Sequence, residues 1–217
     1  MVHHVTLDQQ PIDLPLGKVV CVGRNYAEHA RELNNAVPTA PMLFIKPSTA
    51  LCALTEPLVI PTDRGSVHHE LELTLLIGKP LRRVSAEEVD AAIWGFGLGL
   101  DLTLREVQSQ LKGQGHPWEV AKGFDGAAPL SPFTPGVAAW QDLCFSLDLD
   151  GERRQTGHTG DMIFGVRELV AFMSQHFTLL PGDVIMTGTP AGVGPLRAHA
   201  TVRCALEGVG VWETVVG

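Results

Sequence analysis

Glu70 and Glu72 stand two residues apart in the run Val67-His68-His69-Glu70-Leu71-Glu72-Leu73-Thr74-Leu75-Leu76-Ile77. The run is rich in β-compatible residues and stops at Gly78 and Pro80, so it is predicted to be one strand, on which side chains alternate faces. Both carboxylates then point one way, and Leu71, Leu73 and Leu75 point the other. Burying the leucine face leaves two like charges side by side, and these resist joint ionisation unless a cation lies between them. Taken alone, a Glu-x-Glu pair is more often a solvated strand edge. The balance shifts at Trp94-Gly95-Phe96-Gly97-Leu98-Gly99-Leu100, a second apolar run that ends on Asp101. Two Glu and one Asp make an all-oxygen set that suits magnesium or manganese rather than zinc or copper.

Other residues of chemical interest are spread along the chain. Residues 24–33 favour a short helix capped by Asn25, on which His29 and Glu32 share a face and can hydrogen-bond or remain a solvated pair. Lys122 lies among apolar and small residues, either as a snorkelling surface lysine or as a partly buried cation facing an anion. Arg24, just past a strand, has the planar fork for a carboxylate but is also a common surface charge. Gln108 falls on a predicted helix, where it either helps to fix His29 or a water or lies on a solvated face. His69, beside the first carboxylate, reads as a packing or outer-shell residue, because the ligand set is already all oxygen.

Many short strands with few helices must position these groups. Strands are predicted at residues 18–23, 42–45, 58–60, 67–77, 94–100, 144–149, 184–187, 201–206 and 209–216, and helices at 85–93, 102–112 and 166–177. Ser85 with Glu88 forms a capping box, Gly113 and Gly115 close the helix after Asp101, and Asp150-Gly151 marks a hairpin. The loop Gly188-Thr189-Pro190-Ala191-Gly192-Val193-Gly194 offers backbone N–H groups to an anion but lacks the Gly-Lys-Ser/Thr of a phosphate loop.

Composition narrows the class. With 217 residues, 45% apolar, 23 glycines and 15 prolines, the chain suits one enzyme-like domain whose helices are short. Its net charge of −8 includes no basic cluster, which argues against nucleic acid or an anionic membrane as partner. Cys21, Cys52, Cys144 and Cys204 have no metal-site or Cys-x-x-Cys spacing and read as buried thiols of a reducing compartment. With no secretory signal pattern or membrane-length apolar run, the expected location is the cytoplasm.

These blocks, taken in order, resemble the fumarylacetoacetate hydrolase family, in its small single-domain branch of acylpyruvate hydrolases, oxaloacetate decarboxylases and oxaloacetate tautomerases. The resemblance is carried by Gly23-Arg24-Asn25-Tyr26 with His29 and Glu32, by Phe44-Ile45-Lys46-Pro47-Ser48, and by His68-His69-Glu70-Leu71-Glu72-Leu73. It continues through Asp101, Lys122-Gly123-Phe124-Asp125, Met162-Ile163-Phe164, Pro181-Gly182-Asp183-Val184-Ile185 and the loop from Gly188 to Gly194.

The resemblance implies an α+β, β-rich fold: a mixed β-sandwich roll with short peripheral helices, residues 17–217 forming one catalytic domain behind an arm, residues 1–16. It implies a homodimer, a keto-acid substrate, and magnesium or manganese held by Glu70, Glu72 and Asp101. His29 and Glu32 become a dyad on a lid helix, Lys122 faces the metal, Thr189 the substrate, and residues 34–39 the substrate's distal end. The expected activity is C–C bond hydrolysis or decarboxylation of short 2,4-dioxo or 2-oxo dicarboxylic acids through an enolate stabilised by the metal and Lys122. An oxaloacetate keto–enol tautomerase, or an isomerase or decarboxylase of aromatic degradation, is the alternative within enzymology. A non-catalytic, metal-dependent ligand-binding module is the alternative outside it.

Overall fold

The computed structural model describes residues 4–32 and 36–217. The strands are β1 (Val19–Gly23), β2 (Met42–Lys46), β3 (Leu51–Ala53), β4 (Val67–His69), β5 (Leu71–Ile77), β6 (Ile93–Leu100), β7 (Thr103–Leu104), β8 (Ala128–Leu130) and β9 (Thr134–Pro135). They continue with β10 (Cys144–Leu149), β11 (Glu152–His158), β12 (Val184–Met186), β13 (Gly194–Pro195), β14 (Thr201–Leu206) and β15 (Gly210–Val215). The α-helices are α1 (Ala27–Glu32), α2 (Arg105–Gln114), α3 (Glu119–Lys122) and α4 (Val166–His176).

One sheet runs β2-β1-β12-β5-β6-β8-β3 with β9 added on β6, a second runs β11-β10-β14-β15, and a third joins β13, β4 and β7. The large sheet is mixed, since β1 pairs with β12 and β3 with β8 in parallel while its other pairs are antiparallel. This is the expected β-rich roll. At the centre, β5 is buried at every position, as a strand covered on both faces must be. Its partner β6 carries the alternating glycines because another segment crosses its face closely. A Cβ on Gly95 would stand 2.3 Å from the Thr134 carbonyl oxygen.

Several local expectations change in the folded chain. The predicted strand at 67–77 is broken at Glu70, with β4 in the small sheet and β5 in the large one. Among its described residues the leading arm forms no strand, only the isolated bridges Val5 to Pro11 and Thr6 to Phe133, and the sole strand-like pairing of residues 58–60 is the bridge from Leu58 to Val216. Residues 85–93 hold two 3-10 turns rather than one helix, although the capping box is present. The helix after Asp101 begins at Arg105, because Thr103 and Leu104 first pair with β4, and Gly115 alone closes it. Asn25 does not cap α1. Its amide instead accepts from Phe164 N–H at 2.8 Å and donates to the carbonyls of Phe164 and Thr187, tying the chain just before α1 to the core. The Asp150-Gly151 turn forms as expected, with both residues at positive φ.

Candidate active site

The register of β5 against β6 builds the acidic cluster. Leu71 faces Leu100 and Glu72 faces Gly99. One step further, Asp101 N–H donates to the Glu70 carbonyl at 2.8 Å. Asp101 is therefore the cross-strand neighbour of Glu70, and cross-strand neighbours share a face. Glu72 lies on that face two residues along, opposite a glycine that adds no side chain. Ligand oxygens of Glu70, Glu72 and Asp101 all lie within 4.8 Å of one another. The three residues are only 5%, 1% and 1% exposed, so this is no solvated strand edge.

Three cations surround the cluster. Lys122, at the end of α3, sets its Nζ 2.9 Å from Glu70 Oε2 and 2.6 Å from Asp101 Oδ2, which resolves it as a buried cation rather than a snorkelling one. The same Nζ lies 5.0 Å from the centre of the Phe44 ring, a cation–π contact. Lys46, fully buried at the end of β2, has its Nζ 2.7 Å from Asp101 Oδ1 and donates to the carbonyls of Leu102, Lys122 and Ala127. Arg105 opens α2, pairing with Glu70 through Nη2 and donating from Nη1 to Gln108 Oε1 at 2.7 Å. Gln108 thus orients Arg105.

The carboxylates differ electrostatically. Burial would raise Glu70, but the charges of Lys122 and Arg105 prevail and hold it well below the usual carboxylate range. Burial, and then the charges of Asp101 and Glu70, push Glu72 well above that range. For Lys122, burial is outweighed by Asp101 and Glu70, and its ammonium is held up to about 12. A site whose third carboxylate resists ionisation fits a hard divalent cation, which supplies the missing positive charge.

The sign of the resulting pH dependence follows by linkage. Glu72 binds its proton more tightly folded than unfolded, so the metal-free protein loses stability as pH rises from the ordinary glutamate pKa through the Glu72 value. The loss is at most about 1.4 kcal/mol per pH unit. Glu70 acts at the other end, losing its contribution only as pH falls below the ordinary value. Magnesium is therefore expected to raise the melting temperature more at higher pH across the Glu72 window and to displace a proton on binding. Melts at several pH values, with calorimetry in buffers of different ionisation enthalpy, read both effects. A gain independent of pH, with no proton released, would contradict this account.

Of the pair on α1, His29 lines the cleft over the cluster. His29 is buried, and its Nδ1 lies 3.3 Å from Glu32 Oε2. Since the carboxylate can only accept, Nδ1 carries the proton when the ring is neutral, and Nε2 is left as the basic nitrogen. The Glu32 carboxylate also accepts from Gly192 N–H at 3.1 and 3.2 Å. The other end of this glycine-rich loop reaches the cluster, because Gly188 N–H donates to Glu72 Oε2 at 2.6 Å. Thr189 lines the cleft, but its hydroxyl donates to the Leu71 carbonyl and accepts from Gln155. His69 donates from Nδ1 to Gln155 Oε1 at 2.9 Å and belongs to this support rather than to the ligand set. Burial, the largest influence on its ring, lowers its proton affinity.

A cavity of about 130 Å³, lined by these groups with Arg24, Met42, Trp118 and Lys112, covers the cluster. Arg24 holds a left-handed backbone, φ 62°, at the end of β1. Lys112 lies two turns along α2 from Arg105, and burial followed by the charge of Arg24 lowers its proton affinity. Two like charges at a cleft mouth attract an anion. Residues 34 and 35, expected near the substrate's distal end, lie outside the described residues.

Sequence reasoning passed over Lys46, Arg105 and Gln155. Lys46 had a signal, a lone cation at the end of an apolar strand, whereas Gln155 follows three charged residues in what reads as a surface strand. The cysteines take no part in this chemistry. None is disulfide-bonded, and burial raises the thiols of Cys21, Cys52 and Cys204, the last two to about 11 and about 12. Among the described residues, no helix is long and apolar enough to cross a membrane.

Known proteins share this sequence and fold. The oxaloacetate tautomerase YcgM of Escherichia coli K12 is 52% identical over 200 residues, covering 91% of each chain. A mitochondrial oxaloacetate decarboxylase of Dictyostelium discoideum is 40% identical over 195 residues, covering 88% of this chain and 89% of that one. The crystal structure of fumarylpyruvate hydrolase from Pseudomonas aeruginosa, in complex with Mn2+ and pyruvate, superposes with a TM-score of 0.91 at 36% identity, covering 98% of this chain and 94% of the other. Residues 18–217 match the family model described as fumarylacetoacetate (FAA) hydrolase C-terminal, and the chain belongs to the fumarylacetoacetate hydrolase family.

Proposed function

We propose that this chain is a divalent-metal-dependent enzyme of short 2-oxo dicarboxylic acids, which interconverts the enol and keto forms of oxaloacetate by moving a proton through an enolate of the substrate. The observation that carries the reading is the buried Glu70, Glu72 and Asp101 cluster, ringed by Lys46, Lys122 and Arg105, in a cleft that His29, paired with Glu32, also lines. Glu70, Glu72 and Asp101 would hold magnesium or manganese, which would supply Lewis-acid chemistry at the 2-oxo group.

The chain's own residues do the rest. Lys122 keeps its proton near neutral pH and serves as a fixed positive charge where the enolate develops, not as a base. Glu32 holds the tautomer of His29, whose Nε2 takes up and returns the proton. Arg24, with Lys112 beside it, draws the substrate's distal carboxylate to the cleft mouth, and Gln108 keeps Arg105 aimed at Glu70. Thr189 contributes the wall of the cleft beside the substrate.

C–C cleavage, by hydrolysis of acylpyruvates or decarboxylation of oxaloacetate, is the second reading. It passes through the same enolate, and the His29–Glu32 pair that favours it would activate a water instead. The complete acid–base set counts against a non-catalytic binding module, which needs the metal ligands but not the dyad. Residues 17–217 are taken as the catalytic unit and residues 1–16 as its arm. A homodimer follows from family resemblance, and the four unpaired cysteines support a reducing compartment such as the cytoplasm.

The test is turnover of enol-oxaloacetate, keto-oxaloacetate and acetylpyruvate by metal-stripped protein with and without magnesium, with products identified by proton NMR. Magnesium-dependent enol–keto conversion without pyruvate is the expected result. Pyruvate with CO₂ would assign a decarboxylase, and pyruvate with acetate a hydrolase. No magnesium-dependent change in any of the three would retire the enzymatic reading in favour of the binding module.

A further inference from the structure

Gln155 comes from β11, in the sheet that carries none of the site's acid–base residues, yet it is completely buried beside the cluster. Its Oε1 accepts from Leu71 N–H at 3.0 Å and from His69 Nδ1 at 2.9 Å, holding the point where β5 leaves Glu70. Its Nε2 donates to Thr189 Oγ1 at 2.7 Å and to the Pro190 carbonyl at 3.0 Å, holding the glycine-rich loop. One amide thus joins the ligand strand to the loop.

That loop has two working ends. Gly188 N–H binds Glu72, and Gly192 N–H binds Glu32 of the lid dyad. Gly192 has φ 97°, and a Cβ there would stand 1.9 Å from the Arg154 carbonyl oxygen, so its N–H is aimed by a backbone only glycine can adopt. Arg154 immediately precedes Gln155, so β11 braces the loop at both places.

We propose that Gln155 is a positioning residue for the reaction: through loop 188–192 it places one backbone donor on metal ligand Glu72 and another on lid residue Glu32, so that the cluster and the lid are held by one piece of chain. The inference rests on the functional reading for the meaning of the two ends, but not for their connection.

Two substitutions test it. Gln155→Glu keeps the acceptor for Leu71 and His69 and removes the donor to the loop, while Glu32→Ala removes the acceptor of Gly192 N–H at the lid end alone. Magnesium affinity of the stripped protein by calorimetry, and backbone amide exchange of residues 27–32, report the two ends without turnover. Gln155→Glu is expected to weaken magnesium binding about tenfold, the lower end for outer-shell partners, and to abolish slow exchange in 27–32. Glu32→Ala should lose only the exchange protection. If Gln155→Glu does not fold, Thr189→Val cuts the same link from the loop side and should reproduce both effects.

A residue that serves only stability would lower the melting temperature yet leave magnesium affinity and lid exchange within twofold of wild type well below the melt. That result, or exchange raised evenly along the whole chain, overturns the proposal. Failure of the wild-type protein to bind magnesium would instead strike the functional reading, and lid exchange in Gln155→Glu would still decide the role of Gln155.

Discussion

Replacing Glu72 by Gln is expected to leave the metal-free protein at least as stable as wild type, while abolishing magnesium binding and lowering kcat/KM on oxaloacetate by at least about 100-fold. Glu72 is the carboxylate that burial and two neighbouring acids hold well above its ordinary proton affinity, so ionised Glu72 costs the fold free energy unless a cation offsets it. Gln has the same shape, keeps an oxygen for Gly188 N–H, and carries no charge to be repelled. The activity estimate follows from position, since loss of an outer-shell partner already costs about 10–100-fold and Glu72 belongs to the proposed inner set. Melts of both proteins with EDTA and with magnesium separate the two effects. A variant that melts well below wild type in EDTA, or that gains as much as wild type from magnesium, would remove Glu72 from the proposed ligand set.

Lys122→Met should behave in the opposite way. Its ammonium is the buried counter-charge shared by Glu70 and Asp101, so removing it leaves Glu70 with Arg105 alone, Asp101 with Lys46 alone, and one excess negative charge in the buried cluster. Breaking a buried pair in this manner costs about 3–5 kcal/mol. For a chain of this size each kcal/mol corresponds to about 2–4 °C, so the melting temperature should fall by roughly 6–20 °C. The sign with pH is fixed by the raised affinity of Lys122 for its proton. The stabilisation is fully present below the ordinary lysine pKa and is lost only as pH rises through about 12, so a neutral-pH melt reads all of it. Magnesium should restore part of the stability by supplying positive charge, but not turnover, because the fixed cation facing the enolate is gone. The expected fall in kcat is about 10²–10³-fold, the range for deleting one preorganised donor to a developing oxyanion. Full recovery of kcat with magnesium would reduce Lys122 to a structural counter-ion.

The metal ligands were readable because they rest on local periodicity. Alternation put Glu70 and Glu72 on one side, and the glycine-rich run before Asp101 announced a strand end beside them. Both survive folding even though the strand breaks at Glu70, because residues 70 and 72 keep their common face through the break. The pairing of His29 with Glu32 was likewise a matter of helical spacing. Asn25 shows the limit of local rules: an amide at a helix start reads as a cap, but here Phe164 and Thr187 offered it three tertiary hydrogen bonds. Gln108 and Thr189 line the cavity over the acidic cluster, where their closest partners are the side chains of Arg105 and Gln155.

Periodicity and residue type therefore pointed to the all-oxygen donor set, the glycine-rich loop and the shared face of His29 and Glu32, since each is written within a few consecutive residues, whereas the reading of that pair as a lid dyad came from the family resemblance. The counter-charges and the bracing were assigned by long-range packing. Lys46 reaches Asp101 across 55 residues of chain, and Gln155 reaches Leu71 across 84. Lys46 leaves only the trace of a lone cation ending an apolar strand and Gln155 leaves none, because a buried charge or amide is selected by the partners that folding brings to it rather than by the residues beside it in sequence.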